Sequence, residues 1–99
     1  MEEISVAEIW EIKYRESGEE RVKLFDWWAW ELAQRFVNEV DLLSIVFYAT
    51  GLTEPVNGRA HDIGRLCEET LTKEDIARVS MKWIEERRKR LKEKYVAQG

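Results

Sequence analysis

Residues 26–51, DWWAWELAQRFVNEVDLLSIVFYATG, decide the fold by how they are read. Phe25, Trp28, Ala29, Leu32, Phe36, Val40, Leu43 and Phe47 follow one another at three- and four-residue steps. That spacing predicts an amphipathic helix. Asp26 stands where a capping side chain would open it, and Gly51 where a left-handed C-cap would close it. Periodicity alone leaves room for a break near Asn38, which would divide the run into two helices.

A second apolar face runs along the same stretch through Trp27, Trp30, Val37, Ile45 and Tyr48, interrupted by Gln34 and Asp41. One packing surface cannot satisfy both faces. Either the helix is central, covered on one side by the segment with Trp10, Ile12 and Tyr14 and on the other by the helix carrying Trp83, or part of it faces a partner. The polar interruptions make complete burial costly. The expectation is therefore a mostly buried helix with one exposed tryptophan edge. Trp27, Trp30 and Tyr48 become the candidate partner-binding residues, because aromatic side chains bury large areas at little entropic cost.

Upstream, residues 4–25 support two readings equally. Ile4, Val6, Trp10, Ile12 and Tyr14 alternate with polar residues, as do Val22 and Leu24 after ESGEE, which is a hairpin pattern. Ser5 with Glu8 and Ser17 with Glu20 are equally capping boxes for helices. Downstream, TGLTEPVNGRAHD reads as a loop and Asp62 to Glu69 as a short helix. Thr72 with Asp75 forms a further capping box and opens a long C-terminal helix, whose stripe is Ile76, Val79, Ser80, Trp83, Ile84, Leu91 and Tyr95.

The bulk numbers fit this picture. Ninety-nine residues, 44% hydrophobic and 36% charged, make one domain, 1–99, with 86–99 as a charged helical extension. Five tryptophans are a heavy load, and one proline with five glycines leaves little punctuation for many strands. The net charge of −4 divides unevenly. Residues 1–81 carry 17 acidic and 9 basic groups, a balance of −8, and residues 82–99 carry 3 and 7, a balance of +4. Such a body repels nucleic acid over most of its surface.

A lone Cys67 excludes an internal disulfide and a cysteine zinc site. The opening MEEISVAEIW has no signal-peptide pattern, and LLSIVFYATGLT is too short to span a bilayer. These features lead to the expectation of a small acidic protein in the cytoplasm, or in a host's cytoplasm if the chain is viral.

Chemistry finds little to work with. His61 is the single histidine, which excludes paired-histidine metal sites, and His61 beside Asp62 in GRAHDIG reads as a solvated loop histidine. Cys67 has no second residue to activate it. Glu68-Glu69 and Glu85-Glu86 lack further carboxylates at helical spacing for a magnesium site. No phosphate-binding loop, dinucleotide glycine pattern or nucleophile elbow occurs. We therefore expect no enzyme, catalytic residue, metal or cofactor.

The basic residues of KWIEERRKRLKEKY spread around the helix rather than gathering on one side, with Glu85–Lys89 and Glu86–Arg90 as supporting pairs. The expected fold is mainly α, a single-domain bundle of three to four helices, with a short N-terminal β-hairpin as the open alternative. The expected function is non-catalytic protein–protein contact, as an adaptor, small subunit, assembly factor or inhibitor. Docking falls to the aromatic helix face, and electrostatic help to Arg87, Arg88, Lys89 and Arg90. The second expectation is a nucleic-acid-associated protein using those same C-terminal charges. No membrane partner is expected.

Overall fold

The computed structural model describes residues 4–53 and 62–98, with side chains described for 7–51, 68–91 and 93. Among the described residues, four strands and three helices follow in chain order: β1 (Ile4–Glu16), β2 (Glu19–Asp26), α1 (Trp30–Glu39), β3 (Asp41–Thr53), β4 (Asp62–Leu71), α2 (Lys73–Ala77) and α3 (Met81–Gln98). A single 3-10 turn, Trp27–Ala29, leads into α1. The strands form one antiparallel sheet in the order β2-β1-β3-β4. This corrects the mainly α, all-helical bundle expected from periodicity.

Of the two readings of residues 4–25, the hairpin forms. Ser17 and Gly18 both take positive φ, 52° and 80°. That left-handed pair suits a two-residue hairpin turn and sets Glu16 opposite Glu19. Trp10, Ile12 and Tyr14 then share one face of β1, and Glu11 and Lys13 lie on the other. The capping boxes read at Ser5 and Ser17 thus do not open helices.

The decisive stretch changes structure halfway. α1 ends at Glu39, Val40 is extended at φ −125° and ψ 164°, and β3 begins at Asp41. Asp26 occupies the cap position of the 3-10 turn without a side-chain capping bond. From Val40 onward the sequence is rich in β-branched and aromatic residues, which pack well on a pleated surface. β3 is a central strand with Ile45, Phe47 and Ala49 buried on one face and Tyr48 and Thr50 buried on the other. A strand buried on both faces has no polar–apolar alternation to announce it. The helical spacing of Val40, Leu43 and Phe47 was coincidental. Leu43 is skipped at a bulge, since Lys13 pairs with Ser44 and Tyr14 with Leu42, and it is 40% exposed rather than central to a core.

The segment expected as a short helix, Asp62 to Glu69, is instead β4, drawn into the sheet by pairing with β3 from Ile45↔Leu71 to Leu52↔Asp62. β3 also extends to Thr53, through the start of the segment read as a loop, and residues 54–61 lie outside the described residues. The Thr72–Asp75 capping box is present, with the Asp75 N–H donating to Thr72 Oγ1 at 3.1 Å and the Thr72 N–H donating to Asp75 Oδ2 at 2.9 Å. It opens the short α2, and the long helix begins only at Met81.

All three helices lie on one face of the sheet. The core between them holds Trp10, Ile12, Ala33, Val37, Ile45, Phe47, Ile76, Val79, Ile84 and Leu91. Phe36 of α1 meets Tyr14 and Phe25 edge-on, at ring-centre distances of 5.0 and 5.6 Å. Gln34, which interrupted an apolar face in the sequence, has a structural use. Its Nε2 donates to the carbonyls of Ile76 at 2.8 Å and Val79 at 3.0 Å, tying α1 to the α2–α3 connection. Among the described residues, no helix is long and apolar enough to cross a membrane.

The cap carries a pH prediction. Asp75 is held below its ordinary value of 3.8, first by the Thr72 backbone N–H and then by the Thr72 side chain. A carboxyl whose pKa falls on folding stabilises the fold while ionised. That contribution is complete above 3.8 and is lost as pH falls through the lower folded-state value. Asp75→Asn should therefore melt below the wild type at neutral pH, with the gap closing as pH falls below 3.8. A gap of equal size in neutral and acid buffers would show that the cap does not use the charge.

Candidate docking interface

The three clustered tryptophans have three different environments. Trp27 is half-buried against the core, and its carbonyl accepts a hydrogen bond from the indole of Trp10 at 3.4 Å. The Arg88 guanidinium lies over its ring, 3.8 Å from the centre. Trp30 is also half-buried against the core. Trp28 is the exposed one, at 61%.

Tyr48, on the sheet face opposite the helices, is buried. The candidate partner-binding residues Trp27, Trp30 and Tyr48 are thus not brought together as one open patch. Tyr48 is separated because the chain leaves α1 at Glu39 and carries it on β3, and the tryptophans are shifted by the 3-10 turn, which rotates its residues by a different step from an α-helix. A helical wheel drawn from Asp26 therefore misplaces all three tryptophans.

The basic candidates separate in a similar way. Arg88 reaches under Trp27 to Glu8, which is buried on the helix-covered face of β1, with Nε 3.2 Å from Oε1. Neither of those two atoms has an aligned hydrogen bond, so the attraction is between charges across a short gap. Arg87 pairs with Glu69 at 2.8 Å and lies over the Trp83 ring, 5.0 Å from its centre. Lys89 and Arg90 are exposed. Two of the four cations expected to serve a partner are therefore committed to holding α3 on the sheet.

What the structure does bring together lies along β2 and α1. Trp28 and, four residues on, Leu32 both face solvent, Leu32 at 52%. Leu32 also lines a groove of about 290 Å³ with Phe25, Phe36, Lys23, Arg35 and Glu39. The half-buried rings of Phe25 and Phe36 make the apolar part, while Lys23, Arg35 and Glu39 are exposed charges around it. Val22 and Leu24, on the other face of β2, are each 53% exposed. Scattered apolar residues at a surface need no explanation, but an open tryptophan, an open leucine and an apolar groove on the same stretch of chain make this side the candidate for contact.

A second recess of about 260 Å³ lies where β4 meets α2 and α3, lined by Glu69, Thr70, Leu71, Asp75, Arg78, Trp83 and Arg87. Its Glu69 and Arg87 are engaged with each other and its Asp75 with Thr72, so most of its charges hold the helices in place. Among the described residues no three His, Cys, Asp or Glu side chains gather as metal ligands. His61 lies outside the described residues, and for Cys67 only the backbone is described, paired with Ala49.

Sequence reasoning missed Trp28, Leu32, Lys23 and Arg35 as site residues. One signal was available: Lys23 between Val22 and Leu24 is the pattern of an edge strand carrying a charge. No family model matches the chain, and neither a curated protein nor a solved structure matches it.

Proposed function

We propose that this protein is a non-catalytic binding module, an adaptor, small subunit, assembly factor or inhibitor, that holds another protein against its β2–α1 side. The single observation that carries the reading is the exposure of two large apolar side chains, Trp28 and Leu32, the second of which lines the Phe25–Phe36 groove. Tryptophan is prominent among interface anchors, and an apolar cleft is where such anchors meet their counterparts. The basic helix α3 plays a smaller part in this reading than its composition suggests, because Arg87 and Arg88 are bound to Glu69 and Glu8. Lys89 and Arg90 remain available to steer an acidic partner, an effect on association rate and salt dependence more than on affinity.

The test uses the immobilised full chain and extract from its native source. Wild type should retain a specific protein, and the Trp28→Ala, Leu32→Ser double variant should bind that protein at least about tenfold more weakly. Both side chains are exposed, so the variant should keep its melting behaviour to within about 0.5 kcal/mol. Retention of the partner by a folded double variant would sink the reading. Salt-sensitive capture on DNA that survives the double variant but not Lys89→Glu with Arg90→Glu would replace it with nucleic-acid binding.

A further inference from the structure

We propose that the occupant of the β2–α1 groove is an extended, acidic segment of another protein that lies along the free edge of β2 as an added strand. The inference rests on the docking reading above and specifies the chemistry of the partner.

β2 ends the sheet order, so among the described residues one row of its backbone N–H and C=O groups has no neighbouring strand. Seven of its eight residues are exposed. An open row of this kind is a template for a further strand, and backbone bonds to it give affinity whatever the sequence of the guest. Selectivity then comes from the side chains, which alternate between the two faces of the sheet. On the helix-covered face, alternate guest side chains would enter the groove between β2 and α1, over Phe25, Phe36 and Leu32. On the opposite face the intervening ones would lie beside Val22 and Leu24, whose exposed surface they would cover.

Charge selects the guest further. The chain carries a net charge of −4, yet this groove is bordered by Lys23 and Arg35 against Glu39 alone. Neither Lys23 nor Arg35 has a carboxylate within ion-pair distance among the described residues. Carboxylates on a guest strand would pair with these two cations, while most of the remaining surface would repel them.

A second copy of the chain is disfavoured in the two registers centred on the middle of β2. Pairing β2 antiparallel with itself about Val22 sets Arg21 opposite Lys23, and pairing about Lys23 sets that lysine against its own copy. Like charges directly opposite destabilise a strand pair.

The probe is a displayed library of random linear peptides as long as β2, 8 residues, selected on the full chain. Enriched sequences should alternate β-branched or aromatic residues with Asp or Glu and should lack internal proline. The best peptide should bind at least about tenfold more weakly to a folded Lys23→Glu, Arg35→Glu variant. It should lose binding by a similar factor when alternate backbone nitrogens are methylated in one register, and much less in the other, because only one row of amides faces the protein. No enrichment, enrichment of basic peptides, or equal tolerance of methylation in both registers would each overturn the added strand. A dimer at the binding concentrations that Lys23→Glu tightens would overturn it in favour of a second copy. None of these outcomes touches the docking reading, which falls if the Trp28→Ala, Leu32→Ser variant keeps its natural partner.

Discussion

Trp10→Ala should remove about 3–5 kcal/mol of stability, a large share of what a domain of this size has. Trp10 is fully buried, with its ring edge-on to Phe47 at 4.4 Å and stacked on Trp83 at 5.8 Å. The same side chain therefore joins β1, β3 and α3, and its indole N–H also fixes the Trp27 carbonyl at the entrance to α1. No neighbour can collapse into the space, because the surrounding groups belong to a sheet and to a helix held by other contacts. Thermal and denaturant unfolding followed by circular dichroism would measure the loss. A loss below about 1 kcal/mol would mean that α3 does not pack on the sheet through this ring.

The second large effect lies at Arg88. Removing it leaves Glu8, buried at 2% exposure, without its opposing charge. Breaking one side of a buried pair costs about 3–5 kcal/mol, and Arg88→Met should fall near the lower end because the arginine side chain keeps 27% of its surface in solvent. Much of that penalty belongs to the stranded carboxylate, so Glu8→Leu added to Arg88→Met should recover most of it. The double variant also leaves Trp27 with an apolar neighbour in place of the cation over its ring. If Arg88→Met were nearly neutral, the pair would be a surface contact, and Arg88 would be free to serve a partner after all.

The fold class was not legible in the sequence, but several of its parts were, for reasons that can be named. The β1–β2 hairpin showed its period-two pattern and a Ser-Gly turn, though capping-box spacing matched equally well. The Thr72–Asp75 cap, and Ile76, Val79, Ile84 and Leu91 as core positions, stood where spacing put them. β3 was illegible because both its faces are buried, and a run with no polar side suits a buried helix as well as a central strand. β4 depended on β3, since it is pairing with a strand 10 to 26 residues away that makes it extended: Leu52 opposes Asp62 only once the sheet exists. The candidate site was less legible still. Trp27 and Trp28 are adjacent and chemically identical, yet Arg88, 61 positions after Trp27, decides which of them is covered. Only the folded chain brings Lys23 and Arg35 to the same groove.

Where a partner sits on the molecule decides between the β2–α1 side and the other surfaces. Hydrogen–deuterium exchange of the full chain, alone and with the bound partner, reads this out along the backbone. Slower exchange is expected over β2 and the first turns of α1, residues 19–36, where exposed Val22, Leu24, Trp28 and Leu32 lie. Fraying strand edges exchange through small openings, so a chain bound along β2 should change them most. Protection confined to α3, or to the recess around Arg78 and Trp83, with residues 19–36 unchanged, would contradict the assignment of this side of the molecule as the docking surface.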